Sequence, residues 1–217
     1  MLILTQHDNK SLPEKEKLLT RISNHLIINS SFISDLSLYH GKMGIVLFFT
    51  HYARYTGKTV FDDFAGELLS EIFEEIHSDI PVNFEEGLCG IGWGIQYLLQ
   101  NNFMEGDPDI VLRDLDNGIM ERDILNITDN SFETGLAGIS FYVQSRLMYK
   151  RNNHKKMPFN KKYLDNVRKV SSDIKEIIPE NILSEILKYS SESDDIHLIS
   201  LGLNKGCAGT GLKLILR

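Results

Sequence analysis

The residues able to do chemistry gather around short glycine motifs. Cys89 and Cys207 are the two cysteines of the chain, each inside such a motif, and His40 directly precedes another. Thiolate and imidazole are common zinc donors, and a catalytic zinc takes three protein ligands with a fourth position open. His40, Cys89 and Cys207 are therefore the candidate metal ligands. The two cysteines sit at different places in their motifs, however, and free cysteine commonly serves a core as a small apolar residue. Core is the reading this register favours, with no metal expected in this chain. Carboxylates form a second set: Glu85 and Glu86 precede one glycine and Glu133 another. Glu86 and Glu133 could flank a sugar linkage, the arrangement glycoside hydrolysis needs. Near a helix start, glutamate also simply complements the helix dipole.

These residues are placed by a fourfold repeat. Its copies are His40-Gly41-Lys42-Met43-Gly44, Glu86-Gly87-Leu88-Cys89-Gly90, Thr134-Gly135-Leu136-Ala137-Gly138 and Lys205-Gly206-Cys207-Ala208-Gly209. The first glycines are 46, 48 and 71 residues apart, a period typical of repeat architectures. Six residues after each first glycine stands a large apolar residue: Leu47, Trp93, Phe141 and Leu212. A left-handed approach at the first glycine and close neighbours at the second are the expected reasons for the pair. A phosphate-binding loop is excluded, since no strand precedes the glycines and no Gly-Lys-Ser/Thr closes them.

Each motif opens a segment apolar nearly all round, such as Ile45-Val46-Leu47-Phe48-Phe49, which needs cover on both sides. Between them run amphipathic helices. Phe61, Phe64, Leu68 and Ile72 mark one, Asp107-Pro108 opens another through Val111, Leu115 and Ile119, and Tyr163, Val167, Val170, Ile174 and Ile177 mark a third. The alternation predicts an all-α fold of helical hairpins, amphipathic helices outside and apolar ones inside. One domain is expected over 1–217, with inner helices starting near 41, 87, 135 and 206 and a basic loop about 150–162. Net charge is −7, from 30 acidic against 23 basic residues, which argues against nucleic-acid binding. No apolar run reaches membrane-spanning length, and few cysteines fit a reducing cytoplasm.

Glycine-marked inner helices alternating with amphipathic outer ones resemble the lanthionine synthetase C-like family. Ser37-Leu38-Tyr39-His40-Gly41, Gly87-Leu88-Cys89-Gly90-Ile91-Gly92-Trp93-Gly94 and Gly135-Leu136-Ala137-Gly138-Ile139 carry the likeness. It implies an α/α toroid, here incomplete relative to the family's seven hairpins. It also implies kinship with zinc-dependent cyclases that add cysteine thiols to dehydrated serine and threonine of a peptide, as in lantibiotic biosynthesis. The family's zinc ligands are a Cys two residues before one glycine motif and a Cys-His pair before another. The matching positions here are Tyr39-His40, Glu85-Glu86, Glu133-Thr134 and Asn204-Lys205, with no cysteine among them.

Stacked hairpins leave a concave surface, and the turns opening the inner helices form its rim. The rim residues expected to meet a peptide are Tyr39, His40, Glu85, Glu86, Glu133, Thr134 and Lys205. Trp93 is expected in the core. Because Leu212-Lys213-Leu214-Ile215-Leu216 stays apolar to its end, the last helix should tuck inward or be covered. The covering partner would be a second copy or a chain carrying further repeats.

Overall fold

The computed structural model describes residues 12–149, 157–172, 181–188 and 196–217. The basic run at 150–156, Ile174, Ile177 and the Asp194-Asp195 loop lie outside them. The described residues form an all-α, toroid-like helical-hairpin repeat with ten α-helices and no strand. They are α1 Leu12–Asn29, α2 Lys42–Thr56, α3 Thr59–Glu75, α4 Leu88–Gln100, α5 Pro108–Val111, α6 Arg113–Met120, α7 Leu136–Met148, α8 Lys161–Ser171, α9 Ile182–Leu187 and α10 Cys207–Leu216. The helix expected after Asp107 is two, broken at the fully buried Leu112. Asp107 caps the first piece by accepting from the Asp109 amide, and Asn160 and Asn181 cap α8 and α9 in the same way. Gly57 ends α2 at φ 69°, the left-handed conformation that glycine adopts without strain.

Four inner helices carry the core, each backed by an outer one: α3 on α2, α6 on α4, α8 on α7, and α1 on α10. The inner helices pack in the order α10, α2, α4, α7, so the fourth repeat stands beside the first. The last inner helix is thus tucked inward, one of the two outcomes expected for its apolar sequence. Side chains explain it: the space at Gly211 of α10 is filled by Phe48 of α2 and Ile22 of α1. The corresponding Gly92 of α4 is filled by Tyr142 of α7 and Leu115 of α6. Residues Cys207 to Leu212 are thereby buried by the chain itself, while Leu216 remains 49% exposed.

Each motif turn has one construction. The first glycine caps its inner helix with extended backbone, φ −111° to −118°, so the expected left-handed approach is not used. Space decides instead. A Cβ on Gly41, Gly87 or Gly135 would overlap the carbonyl of the residue six earlier, Asp35, Pro81 or Asp129. The loop is drawn that close by hydrogen bonds to the carbonyl seven residues back. Lys42 N donates to Asp35 O at 2.8 Å, Leu88 N to Pro81 O at 2.8 Å, Leu136 N to Asp129 O at 2.9 Å and Cys207 N to Ser200 O at 2.7 Å. The second glycine then admits an apolar residue of the neighbouring turn: Leu203 against Gly44, Leu38 against Gly90 and Phe84 against Gly138.

Candidate functional site

The residue two before each first glycine joins a ladder across the repeats. Asn204 N donates to Tyr39 O at 2.9 Å, Tyr39 N to Glu85 O at 3.4 Å, and Glu85 N to Glu133 O at 2.8 Å. Backbone bonding therefore gathers Tyr39, His40, Glu85 and Glu133 along one rim. His40 Nε2 donates to Glu85 Oε1 at 2.8 Å, and both side chains are partly exposed. Tyr39 is its floor: 6% exposed, edge-on to Phe84 at 6.4 Å and to His40 at 6.2 Å. Burial pushes the Tyr39 hydroxyl well up, and the carboxylates of Glu133, Glu85 and Glu185 push it further.

The other expected rim residues go elsewhere. Glu86 lines a cleft with Asp35, Glu75 and Pro81, and Glu133 is not among the residues lining it. Thr134 is engaged in its own turn, donating to Asp129 Oδ2 at 2.6 Å and meeting Ser131 Oγ at 2.9 Å. Lys205 is exposed at φ 55°. The helix starts are closed too: their first amides already bond loop carbonyls, which removes the donors an anion would use.

Below the rim runs an aromatic series. Phe84 lies 4.8 Å from Phe132, 5.7 Å from Phe141 and 6.0 Å from Trp93; Trp93 lies 5.4 Å from Tyr97. Trp93, Tyr97 and Phe141 are only partly buried, whereas Leu47 and Leu212 in the same register as Trp93 are fully covered. Trp93 packs against the core, as expected, but leaves part of its ring open. At the far end, His51 Nε2 bonds Tyr97 Oη at 2.9 Å, and Arg54 covers the Phe103 ring at 3.7 Å. Desolvation, with Arg54 beside it, lowers the His51 imidazole to about 4.

A model of the lanthionine synthetase C-like protein family matches residues 33–215. The chain belongs to that family. A search of the curated proteins finds no match. Among the described residues of this LanC-like chain, the three candidate donors do not form a ligand set of the family's kind. Cys89 is fully buried, and its thiol is pushed well up by desolvation, then by Asp116. Cys207 is buried too, donates to Ile196 O at 3.3 Å, and is raised to about 11 by desolvation. His40 already bonds Glu85, and no group of three His, Cys, Asp or Glu among the described residues could hold a metal. The candidates His40, Cys89 and Cys207 are not brought together.

Sequence reading of this LanC-like chain missed two buried charges. Lys42, 3% exposed, pairs with Glu71 at 2.9 Å and Glu75 at 3.2 Å. Arg146, fully buried, meets Asp116 at 2.8 Å, and Tyr142 donates to the same carboxylate at 2.7 Å. No spacing rule links residues 30 apart, but an Arg within an apolar helix was itself a signal that a partner must exist.

Proposed function

We propose that this LanC-like chain is a cytoplasmic peptide-binding member of its family, serving peptide modification without a zinc ion held by the residues described. The observation carrying this reading is the part-exposed aromatic surface of Trp93, Tyr97 and Phe141 beneath the rim of His40, Glu85 and Glu133. A concave apolar face with a few polar groups at its edge is how proteins hold peptides and small ligands. Aromatic rings left partly open supply large contact area at low entropic cost. Trp93 is the sole tryptophan, so its fluorescence reports on that surface directly. Short synthetic peptides containing Ser, Thr and Cys should shift the emission saturably, and Phe141→Ser should weaken the effect. Absence of any saturable signal, by fluorescence and by calorimetry, would sink the reading.

Docking of a partner chain with further repeats, or of a second copy, is the alternative. Met148 at the end of α7 and Leu216 at the end of α10 support it, being 83% and 49% exposed on the two outermost inner helices. Light scattering across a range of protein concentrations separates the two readings: growth in mass favours association, and a constant monomer mass excludes the second-copy form.

A further inference from the structure

The aromatic strip beneath the rim ends in positive charge. Trp93, Tyr97 and Phe103 follow one another at 5.4 and 6.3 Å, with ring planes 33° and 22° apart, and all three are partly open. At the Phe103 end, the exposed Arg54 guanidinium lies 3.7 Å over the ring and donates to Asn101 O at 3.0 Å and Asn102 O at 3.2 Å. Both bonds come from Nη2, so Nε and Nη1 keep their N–H groups for other acceptors. Stacking on a ring also holds the guanidinium plane, which leaves its donors at the edge as a fixed fork. Beside it opens a cleft of about 250 Å³, lined by Arg54, Phe103, Lys58, Thr59 and Asp62. Lys58 is exposed and adds a second cation; Asp62, also exposed, opposes them. The rim end carries the opposite sign, with Glu133 exposed and Glu85 partly so.

We infer that this strip receives an extended peptide with apolar side chains at alternate positions followed by a carboxylate, which Arg54 and Lys58 hold at the Phe103 end. The inference rests on the peptide-binding reading and names that peptide's chemistry and direction. Spacing argues for an extended chain: two residues advance it about 6.5 Å, close to the distance between successive rings. Alternate side chains therefore land between Trp93 and Tyr97 and between Tyr97 and Phe103, and the next one reaches Arg54. Charge fixes the direction. A carboxylate at the rim would meet Glu85 and Glu133, whereas at the far end it meets a guanidinium fork able to bind it by two parallel bonds. Because Arg54 is already held by a ring and two carbonyls, little side-chain freedom is left to lose when the carboxylate arrives.

End-blocked pentapeptides test this on the intact protein, by Trp93 emission and by calorimetry. Leu-Ser-Leu-Ser-Asp should bind about tenfold tighter than Leu-Ser-Leu-Ser-Asn, the effect of one charge-assisted pair, and tighter than the reversed Asp-Ser-Leu-Ser-Leu. Leu-Ser-Leu-Ser with a free C-terminal carboxylate shows whether the fork takes a side chain or a chain end, and one of the two must exceed the Asn peptide. Arg54→Gln should erase the preference. Because Arg54 also bonds the carbonyls that end α4, two exposed changes accompany it. Lys58→Gln should weaken the Asp peptide about threefold, as loss of an exposed ion pair does, and Asp62→Asn should tighten it. Neither should move the melting temperature or the affinity for the Asn peptide. Saturable binding with equal affinity for the Asp, Asn and free-carboxylate peptides overturns the inference and leaves peptide binding standing. An Asp preference that survives all three substitutions also overturns it. Binding of no peptide, whatever its charge, overturns the inference and the peptide reading together.

Discussion

Leu203 Cγ stands 2.8 Å from the point where a Cβ on Gly44 would lie, so the fourth repeat's turn is seated on the first repeat's glycine. The same place is 2.6 Å from the backbone carbonyl of Leu38, which cannot give way as a side chain tip could. Alanine at Gly44 must therefore push α10 from α2 or distort the turn. Gly44→Ala should cost about 2–4 kcal/mol, as overpacking against backbone does. Gly66 is the control of opposite sign, being exposed inside α3 with nothing near its missing Cβ. Gly66→Ala should stabilise by about 0.5–1 kcal/mol. Urea unfolding of both variants checks the pair; equal shifts would show that the seat at Gly44 carries no weight.

The glycine register was legible in the sequence because the same local constraint recurs four times. So was the division into apolar and amphipathic helices, because periodicity reports burial directly. The spatial order of the repeats was not, since Gly44 gives no sign that its neighbour is Leu203 rather than a residue of the next repeat. A further signal went unread: three residues before each first glycine stands Leu38, Phe84, Phe132 or Leu203, all buried. Three of these four fill the neighbouring second glycine, so the motif is longer than its two glycines. At the site, His40 and Glu85 were legible as rim residues. The inward turn of Tyr39 and the outward turn of Glu86 depend on packing between repeats, which residue type alone does not encode.

Arg146 and Asp116 tie α7 to α6 inside the core, with Tyr142 bonded to the same carboxylate. Burial raises the Asp116 carboxyl despite both partners, so desolvation is only partly offset. Removing one charge leaves the other buried with less compensation. Asp116→Ala should cost about 3–5 kcal/mol. The double variant Asp116→Ala/Arg146→Met should recover part of that loss, because the orphaned cation goes with its partner. Additive losses in urea unfolding would show that the two groups act independently.

Cys89 and Cys207 are both buried, with thiols raised by desolvation. Only the thiolate attacks a disulfide reagent, so neither should react at pH 8 in the folded protein. Both should react promptly in denaturant. A fast thiol in the native state would identify an opening at α4 or α10. Which helix opens follows from repeating the assay on Cys89→Ala and Cys207→Ala.

His51 predicts how stability follows pH. Its imidazole, bonded to Tyr97 and half-buried beside Arg54, is lowered by desolvation to about 4 in the folded chain, against 6.5 when unfolded. Between those values the unfolded chain binds a proton that the folded chain does not. Stability contributed by the neutral ring is therefore whole above pH 6.5, declines as pH falls, and is fully lost near pH 4. The shift corresponds to about 3 kcal/mol, and partial exposure of the ring reduces what is measured to about 2 kcal/mol. His51→Gln keeps a polar group beside Tyr97 and removes the titration. Unfolding free energies of wild type and variant, taken at intervals from pH 7.5 to 4, should converge as the pH falls. Profiles that stay parallel would mean that the proton binds His51 equally well in both states, and that the pocket of Tyr97 and Phe103 opens to admit it.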